Sequence, residues 1–475
     1  MPNAYPAHVG DSAPTASPVA LVDALRGTGA TVSVDGAVRA EHGRDWWPLT
    51  IGDAAKGVVP SWPGVVVRPV STEQVAAIIT VAREHGVAVT TQGGRSGVVG
   101  GAVPTSGGIA LDLTGMDQIL WINPETGRAR AQAGVFGPDF ERALRAQGQT
   151  VGHFPQSFDL ATVGGWMATR GAGQYSNRYG NATDIVRGLT VVLASGEVVT
   201  LGGRAPRESV GPDLLQLFVG SEGTLGVITE VEVVTRDVAP FEARCAYVFD
   251  TFEDGLEACR LVARAGVLPA VARLYDAIET PRSLKIEAGC GLILLDEGNE
   301  SVVNARMSMV HSICQQLGTA TDDSCVATWL GHRNDVGALA PLWERGYVVD
   351  TIEVAGTWPQ LPVLFANVVA ALSAIPGIRN ASCHQSHAYD DGACLYFTFA
   401  GQPEGDAAEF YRSAWDAASR ATIQAGGSLS HHHGVGRNRA MYVAEALGSG
   451  FEVLASVKRA LDPTGLFNPG VLGLE

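Results

Sequence analysis

The sequence predicts an α+β fold, on three observations. Apolar, β-branched runs give way abruptly to glycine-rich loops at three places between residues 93 and 226, and each loop abuts a strand. A strand–helix–strand unit leads into the first of these loops. From residue 244 onward, short apolar runs alternate with longer segments of helical period.

Taken in order, Met1 to Ser17 is rich in Pro, Ala and Ser and reads as a flexible start. A short helix follows at Val19 to Arg26, then a polar stretch, Asp45-Trp46-Trp47-Pro48, whose tryptophans read as packing residues. Val65 to Val67 is a strand. Ser71-Thr72-Glu73-Gln74 forms a capping box, Val75, Ile78, Ile79 and Ala82 keep helical spacing, and Gly86 stops the helix. The next strand, Val87 to Gln92, pours into Gly93-Gly94-Arg95-Ser96-Gly97. Glycine there leaves backbone amides uncovered, and successive free amides make a concave site for a phosphate. A plain tight turn is the competing reading, because Gly94, Gly97 and Gly100 fall three apart and lack the spacing of a Rossmann dinucleotide loop.

Ile109 to Leu113 and Ala129 to Ala133 predict strands, and Pro138 to Gln147 predicts a helix with Pro in its first turn. In His153 to Trp166 small residues dominate from Ala161 to Gly165, so the backbone is expected to lie flat against a planar ligand and offer it N–H groups. Thr169 to Ala172 and Tyr179-Gly180-Asn181 extend that surface. Leu189 to Leu193 turns at Ser195-Gly196 into Glu197 to Thr200, and a third glycine cluster, Gly220 to Gly226, precedes the strand Val227 to Thr235. Farther on, Arg244 to Phe249, Val271 to Leu274, Gly291 to Leu295, Val348 to Val354 and Ala393 to Phe399 predict strands. Phe252 to Ala265, Val302 to Leu317, Leu361 to Ile375 and Ala407 to Ala425 predict helices between them, and a final helix, Phe451 to Leu461, leads to Phe467-Asn468-Pro469-Gly470.

With 475 residues, 46% hydrophobic and 17% charged, the chain is long enough for two or three domains of ordinary globular composition. Its net charge of −16 speaks against a nucleic-acid surface or an anionic membrane, both of which need a basic face. The 58 glycines exceed what turns require and imply close backbone approach to something bound. The seven cysteines are odd in number, scattered, and never in a C-x-x-C pair, which favours reduced thiols in a cytoplasmic protein over disulfides or zinc. The N-terminal stretch carries neither a basic region nor an apolar core, so no signal peptide, integral membrane segment or lipidation signal is expected.

The stretches ATVGGWMATRGAG, YGNATD, SVGPD, GSEGTLGVITE, AYDDGACLYFTF and SLSHHHGVG together carry a resemblance. The sequence resembles the vanillyl-alcohol-oxidase (PCMH-type) superfamily of flavoproteins, and within it the alkyl-dihydroxyacetonephosphate synthase family, over roughly residues 50 to 475. The resemblance implies an N-terminal extension over 1–49 and a two-subdomain FAD-binding domain over 50–237. A cap domain on an antiparallel sheet over 238–425 and a segment over 426–475 that returns to the FAD domain complete the expected organisation. It places FAD contacts on Thr90, Thr91, Gln92, Gly93, Gly94, Arg95 and Ser96, which would hold the pyrophosphate. Others fall on Gln156, Ser157, Phe158, Asp159, Leu160, Ala161 and Thr162, on Thr169, Arg170, Gly171 and Ala172, and on Gly220, Ser221, Glu222, Gly223, Thr224, Leu225 and Gly226, along the ribityl chain and isoalloxazine. Many relatives tether the flavin through a histidine where this chain has Arg95, and no cysteine lies near residues 153 to 158, so a non-covalent FAD is expected.

The resemblance also implies catalytic residues. Tyr389 matches a proton-shuttling tyrosine, and Arg207 matches an arginine needed for activity. His431, His432 and His433 precede Gly434-Val435-Gly436, and alternation in an extended segment would let only His431 and His433 cooperate. Acid–base or anion-binding work suits an imidazole there, and no metal is assigned. The implied reaction is an exchange without net oxidation, in which a long-chain alcohol replaces the fatty acid of an acyl-dihydroxyacetone phosphate held on flavin N5. Three departures stand against a direct transfer of that chemistry. Leu339 falls where the family has an arginine facing the substrate, with Arg333 or Arg345 as substitutes; Gln156 replaces an acidic residue; the peroxisomal targeting sequence is missing. An FAD-linked oxidase or dehydrogenase of a small alcohol, a secondary metabolite or a D-2-hydroxy acid is the alternative. A non-catalytic flavin-binding module is the alternative of another class. In each the partner is a small molecule, and a homodimer is compatible with the reading.

Overall fold

The computed structural model describes residue 9 and residues 12–337 and 340–475, so most of the expected flexible start and Leu339 lie outside the described residues. Four strands form the first sheet, in the order Thr31–Ser33, Val65–Arg68, Ile109–Asp112, Val89–Gln92. The last three are mutually parallel and Thr31–Ser33 pairs antiparallel at the edge. Val65, Val67, Val89, Ile109 and Leu111 are fully buried, as expected for a small parallel sheet covered on its faces. One cover is the helix Thr72–Glu84, which turns Val75, Ile78, Ile79 and Ala82 onto the sheet. Ser71 accepts from the Gln74 amide as the capping box predicts, while the Gln74 side chain reaches back to the amide of Val70.

A second, five-stranded antiparallel sheet runs in the order Ile119–Asn123, Arg128–Gln132, Val227–Val234, Val186–Val192, Val198–Gly202. It shares one apolar core with the first sheet. The chain returns to this body at its far end. Val89 donates to the Leu466 carbonyl (2.8 Å) and accepts from the Asn468 amide (2.9 Å), so residues 466–468 extend the first sheet beside Val89–Gln92. Lys458, buried, donates to the carbonyls of Thr224 and Phe467 (2.9 Å each) and to Asp462 (2.6 Å), pinning that return.

The third sheet has seven antiparallel strands in the order Thr319–Thr321, Phe241–Phe249, Cys290–Gly298, Val271–Tyr275, Ile378–Ala388, Gly392–Gly401, Val348–Thr357. Alternation along each strand sorts its side chains between two faces. Tyr247, Leu292, Leu294, Ala272, Leu274, Phe397 and Phe399 join the helices Phe252–Arg264, Leu361–Ser373 and Ala407–Gln424 in one core. Ala246, Ile293, Leu295, Val271 and Tyr275 face the other way, against Tyr175, Tyr179 and the helix Ser324–His332.

Two expectations change. Ile378–Ala388 is a central strand that hydrophobic periodicity did not predict, because its buried side chains include Ser382, His384, Gln385, Ser386 and His387. The segment from Ala161 to Gly165 is not a flat ribbon. Thr162 caps the helix Val163–Ala168 by accepting from the Gly165 amide, and the amides of Val163 and Gly164 donate to Val135 and Ala133. Among the described residues no helix is long and apolar enough to cross a membrane.

Candidate active site

A cavity of about 680 Å³ is lined by the glycine loops and by the face of the seven-stranded sheet that carries Arg273, Tyr275 and His384. From the sequence-predicted residues, Thr91, Gly93, Gly94, Arg95, Ser96, Gln156, Ser157, Leu160, Ala161, Thr162, Thr169, Gly171, Ala172, Glu222, Gly223, Gly226, His432 and His433 line it. Thr90, Gln92, Phe158, Asp159, Arg170, Gly220, Ser221, Thr224, Leu225, Tyr389 and His431 are not among its lining residues, and Asp159 and Arg170 are exposed. Arg207 stands apart from it. It is exposed, in an irregular segment of Pro, Gly and charged residues between Gly202 and Leu215, and is not among the lining residues.

The lining fits FAD on its own features. The amides of Gly94, Arg95, Ser96 and Gly97 donate to nothing else among the described residues, and a Cβ built on Gly97 would project into open space with only Asp45 near it, at 3.9 Å. Thr91 Oγ1, Arg95 Nε, Trp46 Nε1 and Trp166 Nε1 are buried polar atoms without partners, and all four residues line the cavity. Buried donors rarely stay unpaired, so these atoms point to a polar ligand. Arg95, Arg170 and Glu222, one in each of the predicted loop regions, hold positive φ of 54°, 58° and 50°. Such strain in three non-glycine residues persists where the surroundings over-determine the backbone, a hallmark of ligand-clamping loops. Arg95 Nη1 lies 3.1 Å from His42 Nδ1.

The histidine run lies in a bend, not a strand, so the expected alternation fails. His431 Nδ1 and His432 Nδ1 are 2.9 Å apart, and both rings pack on His387, with centroids at 4.9 and 5.0 Å. His431 Nε2 meets Tyr389 Oη at 2.9 Å. Beneath the run, fully buried Glu353 accepts from the amides of His431 and His433, from Ser430 Oγ (2.7 Å) and from Arg439 (2.9 Å). Burial pushes this carboxyl up, but Arg439 and the neighbouring histidines outweigh it and hold the group well below the ordinary carboxylate range. Glu353 therefore serves as a fixed negative anchor for the histidine backbone. Burial pushes the imidazoles of His431 and His432 down, so both are neutral at pH 7.

Farther along the cavity wall stand Arg333, one of the two substitutes named for the family's substrate-facing arginine, and several residues that the sequence reading missed. Arg273, in the strand Val271–Tyr275, lies 2.7 Å from His384 Nε2, and His384 Nδ1 lies 2.8 Å from Glu279 Oε2. The Arg273 guanidinium also sits over Trp329, 5.5 Å from its centre. Arg333 stacks on Tyr175, Phe154 and Trp329 at 5.1 to 5.7 Å and bonds Gln174. Arg273, Glu279, Arg282, Trp329, Arg333 and His384 all line the cavity, whereas Arg345 is exposed and does not. The readable signal for Arg273 was a lone charge inside the apolar run VARLY; His384 offered none. An apolar part of the lining is built by Trp46, Pro48, Ile51, Leu342, Trp343 and Val349.

Residues 63–202 match the FAD binding domain model, and residues 240–472 match that of the FAD linked oxidases, C-terminal domain. The chain is 29% identical over 496 residues to alkyldihydroxyacetonephosphate synthase of Caenorhabditis elegans, covering 94% of this chain and 82% of that protein. It is 31% identical over 434 residues to the uncharacterized FAD-linked oxidoreductase YgcU of Escherichia coli O157:H7, covering 86% and 89%. A solved alkyldihydroxyacetonephosphate synthase superposes with a TM-score of 0.79 at 26% identity, over 96% of this chain and 86% of that one.

Proposed function

The chain belongs to the FAD-linked oxidase family and is an FAD-dependent enzyme, and from that premise we propose that its reaction resembles that of the alkyldihydroxyacetonephosphate synthases. The substrate would be a small carbonyl compound or a phosphorylated lipid-type molecule, exchanged without net oxidation. One observation carries the proposal. A single cavity joins the glycine loops to guanidinium groups at Arg273 and Arg333, to an imidazole at His432, and to an apolar part at Trp46, Leu342 and Trp343. An anionic head would meet the arginines, whose planar forks suit phosphate or carboxylate. The substrate's apolar part would lie against the tryptophans, and a neutral imidazole would take or return a proton.

When bound, FAD supplies a ring that accepts either a substrate substituent or a hydride. Its phosphates would lie on the amides of Gly93 to Ser96 and its ring system against the walls at 156–162, 169–172 and 220–226. The cofactor is held without a covalent bond, a reading supported by Arg95 at the tethering position and by the absence of cysteine from the described cavity lining. Residues 50–237 would form the flavin domain, 238–425 the cap, and 426–475 the segment that completes the site. The seven free cysteines support a reducing, cytoplasmic setting.

The likeness to an FAD-linked oxidoreductase at 31% identity favours one further reading, oxidation of a small alcohol, a secondary metabolite or a D-2-hydroxy acid. Anaerobic titration separates the two. The yellow protein is mixed with acyl-dihydroxyacetone phosphate and alcohol, D-lactate, glycolate, or benzylic alcohols. The proposal expects turnover of the first pair with no lasting loss of flavin absorbance; bleaching by an alcohol without such turnover would replace it with the oxidase reading.

A further inference from the structure

Behind His432 a continuous line of hydrogen bonds runs into the protein. His432 Nδ1 meets His431 Nδ1 at 2.9 Å, His431 Nε2 meets Tyr389 Oη at 2.9 Å, Tyr389 Oη meets Ser176 Oγ at 3.3 Å, and Ser176 Oγ meets His387 Nδ1 at 2.8 Å. Only His432 of these five lines the cavity. The arrangement is fixed from both sides. Ser176 opens the short helix Ser176–Tyr179, and the next residue, Asn177, accepts from the Ala388 amide (3.0 Å), which ties that helix to the residue preceding Tyr389.

A hydroxyl or a neutral imidazole has one proton to give at such contacts and a lone pair to receive another. A line of five such groups has two self-consistent polarities, with every proton pointing toward His432 or every proton pointing toward His387. We propose that Ser176 and His387 are positioning residues that complete a reversible proton relay, His432–His431–Tyr389–Ser176–His387, serving the substrate at the cavity wall. This inference rests on reading the cavity as the flavin and substrate site.

The protons balance without any other bond breaking. His432 gains the substrate's proton at its second ring nitrogen and gives its Nδ1 proton to His431 Nδ1. His431 gives its Nε2 proton to Tyr389 Oη, Tyr389 gives its own to Ser176 Oγ, and Ser176 gives its own to His387 Nδ1. One positive charge ends on His387 and one electron pair stays with the substrate. His387 is a poor place for that charge. Burial pushes its imidazole well down, and the positive charge of Arg273 lowers it further. The buried carboxylate of Glu353 is taken up by the main-chain amides of His431 and His433. The relay therefore lends a proton and takes it back, as an exchange reaction requires.

The test uses FAD-loaded protein labelled with ¹⁵N-histidine, whose long-range proton–nitrogen spectra report the tautomer of each ring. Ser176→Ala, Ser176→Thr, Tyr389→Phe and the Ser176→Ala/Tyr389→Phe double variant are compared. The expected result is a shift of the His432 tautomer in Ser176→Ala, recovery in Ser176→Thr, and no further shift when Ser176→Ala is added to Tyr389→Phe. An unchanged His432 in Ser176→Ala would overturn the relay, as would an equal shift in the presence and absence of Tyr389. A protein that takes up no FAD would overturn the flavin reading instead, visible as missing absorbance before any spectrum is recorded.

Discussion

Arg273 Nη2 lies 2.7 Å from His384 Nε2, and a guanidinium can only donate, so His384 must accept there and give its Nδ1 proton to Glu279, 2.8 Å away. Burial pushes the His384 imidazole down, in keeping with a neutral ring of fixed tautomer. Burial pushes Glu279 up, but His384, Arg282 and Ser382 outweigh it and bring the carboxyl to about 2.

Arg273→Lys keeps the charge and loses both the fork toward His384 and the stacking on Trp329, so kcat/KM is expected to fall roughly tenfold or more, about 1.4 kcal/mol. Arg207→Ala is expected to leave it unchanged. Steady-state kinetics on the two variants checks the pair; equal losses would return Arg207 to the site.

Gly94 and Gly97 separate folding from cofactor binding. A Cβ at Gly94 would fall 1.7 Å from the Leu160 carbonyl oxygen, so Gly94→Ala is expected to destabilise the fold by about 3 kcal/mol. Gly97→Ala meets no such obstacle and should melt like the parent protein without cofactor. It should bind FAD roughly tenfold more weakly, since its methyl fills the ligand's side of the loop. Thermal unfolding and flavin-fluorescence titration read the two effects.

Glu222 gives a pH dependence of definite sign. Burial raises its carboxyl from 4.5 to about 7, against the amides of Val435 and Gly436 and the charge of Arg439, which lower it. The folded state thus favours the protonated acid. Its contribution is fully present below pH 4.5 and lost as pH rises through about 7. The stability advantage of the parent over Glu222→Gln should shrink by about 3 kcal/mol between those limits. Urea unfolding at pH 4.5, 6 and 8 tests this, and a constant difference would contradict it.

Lys458→Met would leave Asp462 buried without its cation, and a loss of roughly 3 kcal/mol in unfolding free energy is expected. Asp462 still accepts from the Leu466 and Phe467 amides, so the variant should fold, and chemical denaturation measures the deficit.

The helices were legible because caps and apolar spacing are local: Ser71, Thr251 and Asp406 each cap where the pattern begins. The glycine loops were legible because strand residues end in them. The strand Ile378–Ala388 was not, since burial of polar side chains is set by neighbours distant in sequence, among them Glu279 for His384 and Ser176 for His387. Arg207 and Arg273 show the same limit. Both are single arginines in the sequence, and only the sheet buries one of them. His431 to His433 were misjudged because an alternation rule for strands was applied to a bend held by Glu353.

The parallel bridge between Val89 and Phe467 joins residues far apart in order of synthesis. During translation the loop at Gly93 emerges early, yet the segment that bridges to the strand before it is supplied only after the whole seven-stranded sheet has been made. A nascent chain therefore cannot complete the hydrogen bonding beside Val89 until its last residues are made.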